Sequence, residues 1–214
     1  MADWDELGRR ARERYEDGER RLPDDPDARQ RQLTRMGNAA GAAGLSALMA
    51  GKDAKEWFAR AAERYRESWE DAPPGSWGRP IGALKARILA GDWDGAATDA
   101  RWALEAGAGE AESPIGRYAA ALAALVLGDW AQAHVHADFA RIHEGFPSDV
   151  GDALATIAAE DVLGYIEAVE GVLESFETRE DYLEEIPVAD TVLVLQALAA
   201  RRELAAELES PLLP

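Results

Sequence analysis

Residues 80–96 read Pro80-Ile81-Gly82-Ala83-Leu84-Lys85-Ala86-Arg87-Ile88-Leu89-Ala90-Gly91-Asp92-Trp93-Asp94-Gly95-Ala96, and the pattern returns further along. Pro114-Ile115-Gly116 opens the second copy and Gly128-Asp129-Trp130-Ala131-Gln132-Ala133 ends it. Each proline suits the first turn of a helix, where its missing N–H has no intrahelical acceptor. The prolines are 34 residues apart and the tryptophans 37. Small residues follow each turn at matched places, Ala100 and Ala103 in one copy, Ala137 and Ala140 in the other. A looser third copy, 35 residues on, puts Tyr165 and Ala168 where Trp130 and Ala133 stood, with its glycine moved to Gly164. One such helix pair cannot bury its apolar face alone, so the pairs must stack.

The flanking sequence is also helical in pattern. Helices are expected over 3–22, ended by Pro23-Asp24-Asp25-Pro26, then over 27–50 and 53–71. Gly37 to Gly44 suits close helix approach, and Trp57, Phe58, Ala61, Ala62, Tyr65 and Trp69 recur at helical spacing. Loop 72–79, with Pro73-Pro74-Gly75, is a possible sub-boundary between residues 1–71 and the clearer repeats of 80–177. Residues 178–214 read as a carboxy-terminal cap: a short acidic helix at Glu180–Glu185, an apolar helix over 188–204, and an extended end at Glu209 to Pro214. No run alternates with period two, so the class is all-α, in one helical-repeat domain over 1–214.

The turn Gly91-Asp92-Trp93-Asp94-Gly95-Ala96, continuing to Ala103-Leu104-Glu105, resembles the turn and second helix of a tetratricopeptide repeat. That resemblance implies a right-handed stack of antiparallel helical hairpins, an α-α superhelix, holding peptides or partner domains in a groove. The spacing is less regular than the family's, and its closing proline is mostly missing. The end of the chain, Glu207-Leu208-Glu209-Ser210-Pro211-Leu212-Leu213-Pro214 after a long apolar helix, is similar to the close of the immunity protein 49 family. This second resemblance implies neutralisation of a toxin.

The 214 residues include no cysteine, which excludes disulfides and thiolate chemistry. No apolar run reaches the ~18 residues that mark a membrane span, and Met1-Ala2-Asp3-Trp4-Asp5-Glu6 lacks the features of a signal peptide, so a cytoplasmic location is expected. Acidic residues number 41 against 23 basic, for a net charge of −18. That balance argues against nucleic acid and anionic membranes as partners, since both require clustered cations. Two origins of the acidity compete: adaptation to high intracellular salt, favoured by having only Lys52, Lys55 and Lys85 beside many Arg, and a docking face for a basic protein. The uneven spread favours some docking role. Residues 1–36 carry ten acids and nine bases, whereas 144–190 carry fourteen acids and only Arg179.

Catalytic chemistry finds little footing. His134 and His136 point to different sides of a helix, while His136 and His143 share a face without a third ligand. No Glu-x-x-His pair, phosphate loop or nucleophile elbow occurs, so no catalytic residue, metal or cofactor is expected. A helical enzyme using His136 and nearby carboxylates is the outlying alternative. Ser113 and Ser148 read as helix N-caps. The expected activity is non-enzymatic protein–protein interaction, with an immunity protein against a basic toxin as the narrower form. Candidate partner-binding residues are Trp77 and Arg79 in the 72–79 loop, Trp102 and Arg117 in the repeats, and Glu167, Glu174 and Glu184 in the acidic third.

Overall fold

The computed structural model describes residues 2–214, and among these there are ten α-helices and no strand. They are α1 (Trp4–Arg20), α2 (Pro26–Met49), α3 (Lys55–Glu67), α4 (Gly78–Leu89), α5 (Trp93–Glu105), α6 (Pro114–Leu127), α7 (Trp130–Arg141), α8 (Ser148–Ala159), α9 (Val162–Glu177) and α10 (Asp190–Ala200). From α1 to α9, consecutive helices pack on one another. Each even-numbered helix from α2 onward also touches the next even one, and α10 reaches back to α4 as well.

The turn sequence explains the hairpins. Gly91 and Gly128 take positive φ (68° and 78°), the left-handed conformation that closes a helix without a Cβ penalty. The following aspartate then caps the next helix, Asp92 Oδ1 accepting from Gly95 N at 3.0 Å and Asp129 Oδ1 from Gln132 N at 3.1 Å. Tryptophan is the first residue inside that helix.

This device recurs at the end of every even helix. A backbone N–H reaches back five residues in each: Lys52 to Ala47, Asp92 to Arg87, Asp129 to Ala124, Asp161 to Thr156 and Leu204 to Ala199. The left-handed residues are Gly51, Gly91, Gly128, Glu160 and Glu203. The same closing turn therefore occurs five times, and α10 ends as α2, α4, α6 and α8 do. An extended tail, not a helix, follows it.

The register of the third copy differs from the sequence reading. Its closing residue is Glu160, and Gly164 lies inside α9, donating to its cap Asp161. Tyr165, fully buried, thus occupies the position of Ala96 and Ala133 and not that of the tryptophans. Ser148 is likewise the first residue of α8 and does not cap it, since Pro147 precedes the helix. Glu180–Glu185 forms only a 3-10 turn at Leu183–Glu185, and the apolar helix spans 190–200, not 188–204.

Helix α6 is the most enclosed, with every residue from Ala119 to Val126 at most 4 % exposed. Helix α10 buries Val192, Val194, Leu195, Leu198 and Ala199 in the core shared with α4 to α9. Its end is bound to α5, α6, α7 and α8. Arg201 covers the Trp93 ring at 4.5 Å and donates to Val126 O, while Arg202 covers Trp130 at 4.2 Å and donates to Ile157 O and Ala158 O. These carbonyls end α6 and α8, where a cation is favoured by the helix dipole. A strap, residues 178–189, then crosses to the first helices, burying Ile186 and Val188 against Ala11, Ala42 and Ala43.

Candidate functional site

Between α2 and α4 runs a trough of about 290 Å³. Its floor is Phe58, Ala61 and Tyr65 of α3, and its roof is Leu183 and Glu184 of the strap. The walls are made by small residues. Gly44 receives the Phe58 ring, while Gly37 and Gly82 receive that of Tyr65, each within about 3 Å of where a Cβ would sit. Gly41 faces open space instead, with no atom within 4 Å of such a Cβ. Polar groups are few. The Tyr65 hydroxyl donates to Asn38 Oδ1 at 2.7 Å, and Lys85 Nζ donates to Asp190 and to Thr191 Oγ1. Glu184 and Glu185, both at positive φ, pair with Arg14 and Arg10 and fasten the strap.

Trp77 folds back from its loop onto Trp69, ring centroids 5.5 Å apart, beside the backbone of Gly116. Trp102 meets Trp69 edge-on at 5.8 Å and carries Arg66 over its ring. The two tryptophans chosen from sequence thus share one half-buried aromatic row. Arg79 stands apart from it. Its Nη2 donates to Gln30 Oε1, its Nε is buried without an acceptor, and no carboxylate of the described residues pairs with it. Burial pulls its pKa below the usual arginine value.

Arg117 is tied inward, donating to Ala111 O at 2.7 Å and lying 4.5 Å above Phe139. It also lies 3.3 Å from His136 Nδ1. A guanidinium can only donate, so Nδ1 accepts and the His136 proton sits on Nε2. Burial, then the Arg117 charge, holds the His136 pKa below its ordinary value, so the ring is neutral. It faces a hollow lined by Leu104, Ala124 and Leu127 as well as Glu110, Asp129 and Gln132. His143 stacks on Phe139 instead, and no three metal-ligating side chains converge among the described residues.

The acidic candidates fall in two places. Glu167 and Glu174, joined by Glu170 at spacings that share a helix face, are exposed on α9. Asp149 of α8 adjoins that face, its carboxylate close to Gly171. No cation among the described residues lies within ion-pair distance of these four carboxylates. Glu184 belongs to the strap and the trough, paired with Arg14.

The sequence reading passed over the trough's own residues, Asn38, Gly41, Lys85 and Asp190. Lys85, one of three lysines in an Arg-rich chain, was the available signal. Comparison of the chain with family models, with curated proteins and with solved structures finds no match.

Proposed function

We propose that the chain is a non-enzymatic protein–protein interaction module on a tetratricopeptide-like scaffold, docking a basic segment of its partner on the outer face of α9. The five-fold recurrence of the helix-closing turn supports the scaffold part of this reading. Helix α10 packs against both α4 and α8, so it takes up inner surface that a hairpin stack would otherwise offer. Docking is thereby directed to the outside.

The observation that carries the docking face is the unpaired set Glu167, Glu170, Glu174 and Asp149. Within the first three helices most carboxylates are neutralised, Glu6, Glu13, Asp17, Glu19, Glu56 and Glu67 each pairing with an arginine. The exposed Glu16, Glu63 and Glu70, which have no such partner among the described residues, lie on α1, α3 and the turn after it. Unneutralised carboxylates on adjacent helices steer cationic partners and speed their encounter. A toxin-neutralising role is the narrower form of this reading, with the basic partner a toxin. Salt adaptation alone would leave the same face without a partner.

The test is affinity capture from native lysate at matched salt with three baits: wild type, Glu167→Gln/Glu170→Gln/Glu174→Gln, and Glu16→Gln/Glu63→Gln/Glu70→Gln as a charge-matched control. One stoichiometric partner held by the wild type and the control but lost by the α9 variant is the expected result. Retention by the α9 variant, or no partner on any bait, sinks the reading.

A further inference from the structure

We propose that the trough between α2 and α4 binds a linear aliphatic carboxylate, its chain lying along Gly41, Leu45, Ile81 and Leu89 and its head group meeting Arg79. The lining runs from Thr34 and Gly78 at one end to Leu45 and Leu89 at the other. At 1.5 Å per helical residue that span is about 16 Å, long and narrow. The walls are almost wholly apolar. Along α2, α3 and α4, past the first turn of α4, their backbone groups are paired within the helices, so they offer little of the continuous backbone pairing a peptide would need. An unbranched hydrocarbon chain suits such a wall. The 290 Å³ volume lies at the small end of ligand sites.

Gly41 is the second observation. It sits in mid-helix, where glycine destabilises relative to alanine. Gly37 and Gly44, on the same helix, are accounted for by aromatic rings packed on them, whereas nothing occupies the space before Gly41. Its missing side chain widens the trough and does nothing else for the packing.

Charge supplies the head group. Around the trough Lys85 pairs with Asp190 and Arg14 with Glu184, so these cancel. Arg79 is left over. It follows Gly78 at the end of the trough, and its partner Gln30 lies one turn before Thr34. Its guanidinium is half-buried, has one neutral acceptor, and keeps a buried N–H unsatisfied. In a chain of net charge −18 the want of a carboxylate there is not for lack of supply. A ligand carboxylate would satisfy that fork in two-pronged fashion, as arginine favours. Asn38, whose oxygen accepts from Tyr65, has its amide N–H groups as further donors on the wall.

The experiment is titration calorimetry of the full chain with hexanoate, octanoate and decanoate below their micellar concentrations, with decanol and decylammonium as neutral and cationic controls. Binding with one site per chain is expected, tightening about fourfold per added methylene. Decanoate should bind at least tenfold more tightly than decanol, and Arg79→Gln should erase that preference while decanol still binds. Gly41→Leu should abolish binding of both with the helical circular dichroism unchanged. Methyl NMR shifts at Leu45, Ile81 and Leu89 in the wild type locate the chain even if Gly41→Leu folds poorly. Absence of decanoate binding, equal binding of decanol, or shifts confined to methyls elsewhere would each overturn the assignment.

Discussion

Arg202 lies 4.2 Å above the ring of Trp130 and donates from the same guanidinium to the last carbonyls of α8, Ile157 and Ala158. It also meets Glu160, the residue that closes α8, at 3.0 Å. One side chain thus ties the end of α10 to the turn of one hairpin and the end of the next. Arg202→Met keeps the stem but loses the charge and the donors. Two charge-assisted bonds and a cation–π contact put the loss at about 2–4 kcal/mol. A fall in the urea midpoint without a change in slope is the expected signature, and a loss under 1 kcal/mol would contradict it.

Glutamate is a poor choice for a left-handed position, and two of the five even helices use one. Glu203, exposed and without an ion pair, stands at φ 60°. Glu203→Gly should raise stability by about 1 kcal/mol. Glu160→Gly should gain less, because it gives up the contact with Arg202. Gly128→Ala, the reverse change at φ 78°, should cost about 1 kcal/mol. Thermal unfolding of the three variants tests the ordering.

Two glycines on one helix should respond oppositely to a single methyl group. Gly41→Ala meets open space at a helical φ and should stabilise by about 0.5–1 kcal/mol. Gly44→Ala puts its methyl 2.7 Å from the Phe58 ring and should destabilise by about 1–3 kcal/mol. Equal effects in denaturant unfolding would mean that the space before Gly41 is not open.

Alkali should unfold the protein through a few buried groups. Burial raises the pKa of Tyr65, Tyr118 and Tyr165 above the ordinary tyrosine value. Burial acts against the Lys85 ammonium, but Asp190 outweighs it, and that pKa too is raised. A group with a raised folded-state pKa stabilises fully below its unfolded pKa and loses that contribution as pH climbs toward the folded value. Stability should therefore hold to about pH 9 and fall steeply above about pH 10, by up to ~1.4 kcal/mol per pH unit for each group. Tyr165→Phe should make the fall shallower, which urea titrations at rising pH would show.

Helix class and hairpin turns were legible because Pro-Ile-Gly and Gly-Asp-Trp are local devices, each acting within one turn of the chain. The third copy was misaligned because Glu160 does the work of glycine, and no local signal marks a glutamate at positive φ. The strap's acidic run was read as a helix, yet Glu184 and Glu185 are turned left-handed where Arg14 and Arg10 of α1 hold them, partners about 170 residues away. The trough escaped notice for the same reason. Its walls lie on α2, α3, α4 and the strap, and only packing brings them together. Of the candidate residues, Glu184 lines that trough and Arg79 follows Gly78 at its end, Glu167 and Glu174 share an outer face, and Trp77, Trp102 and Arg117 are bound into neighbouring helices.

The placement of α10 bears on how the protein is made. The first hairpins emerge from the ribosome in order and pair with near neighbours, as locally connected helices do quickly. Yet α4 and α8 keep apolar surface that is covered only when residues 190–202 arrive, and Arg201 and Arg202 cannot cover Trp93 and Trp130 sooner. A growing chain therefore carries uncovered apolar surface on α4 and α8 until residues 190–202 emerge. Chaperone dependence should track how fast residues 190–202 are translated more than the stability of the folded molecule.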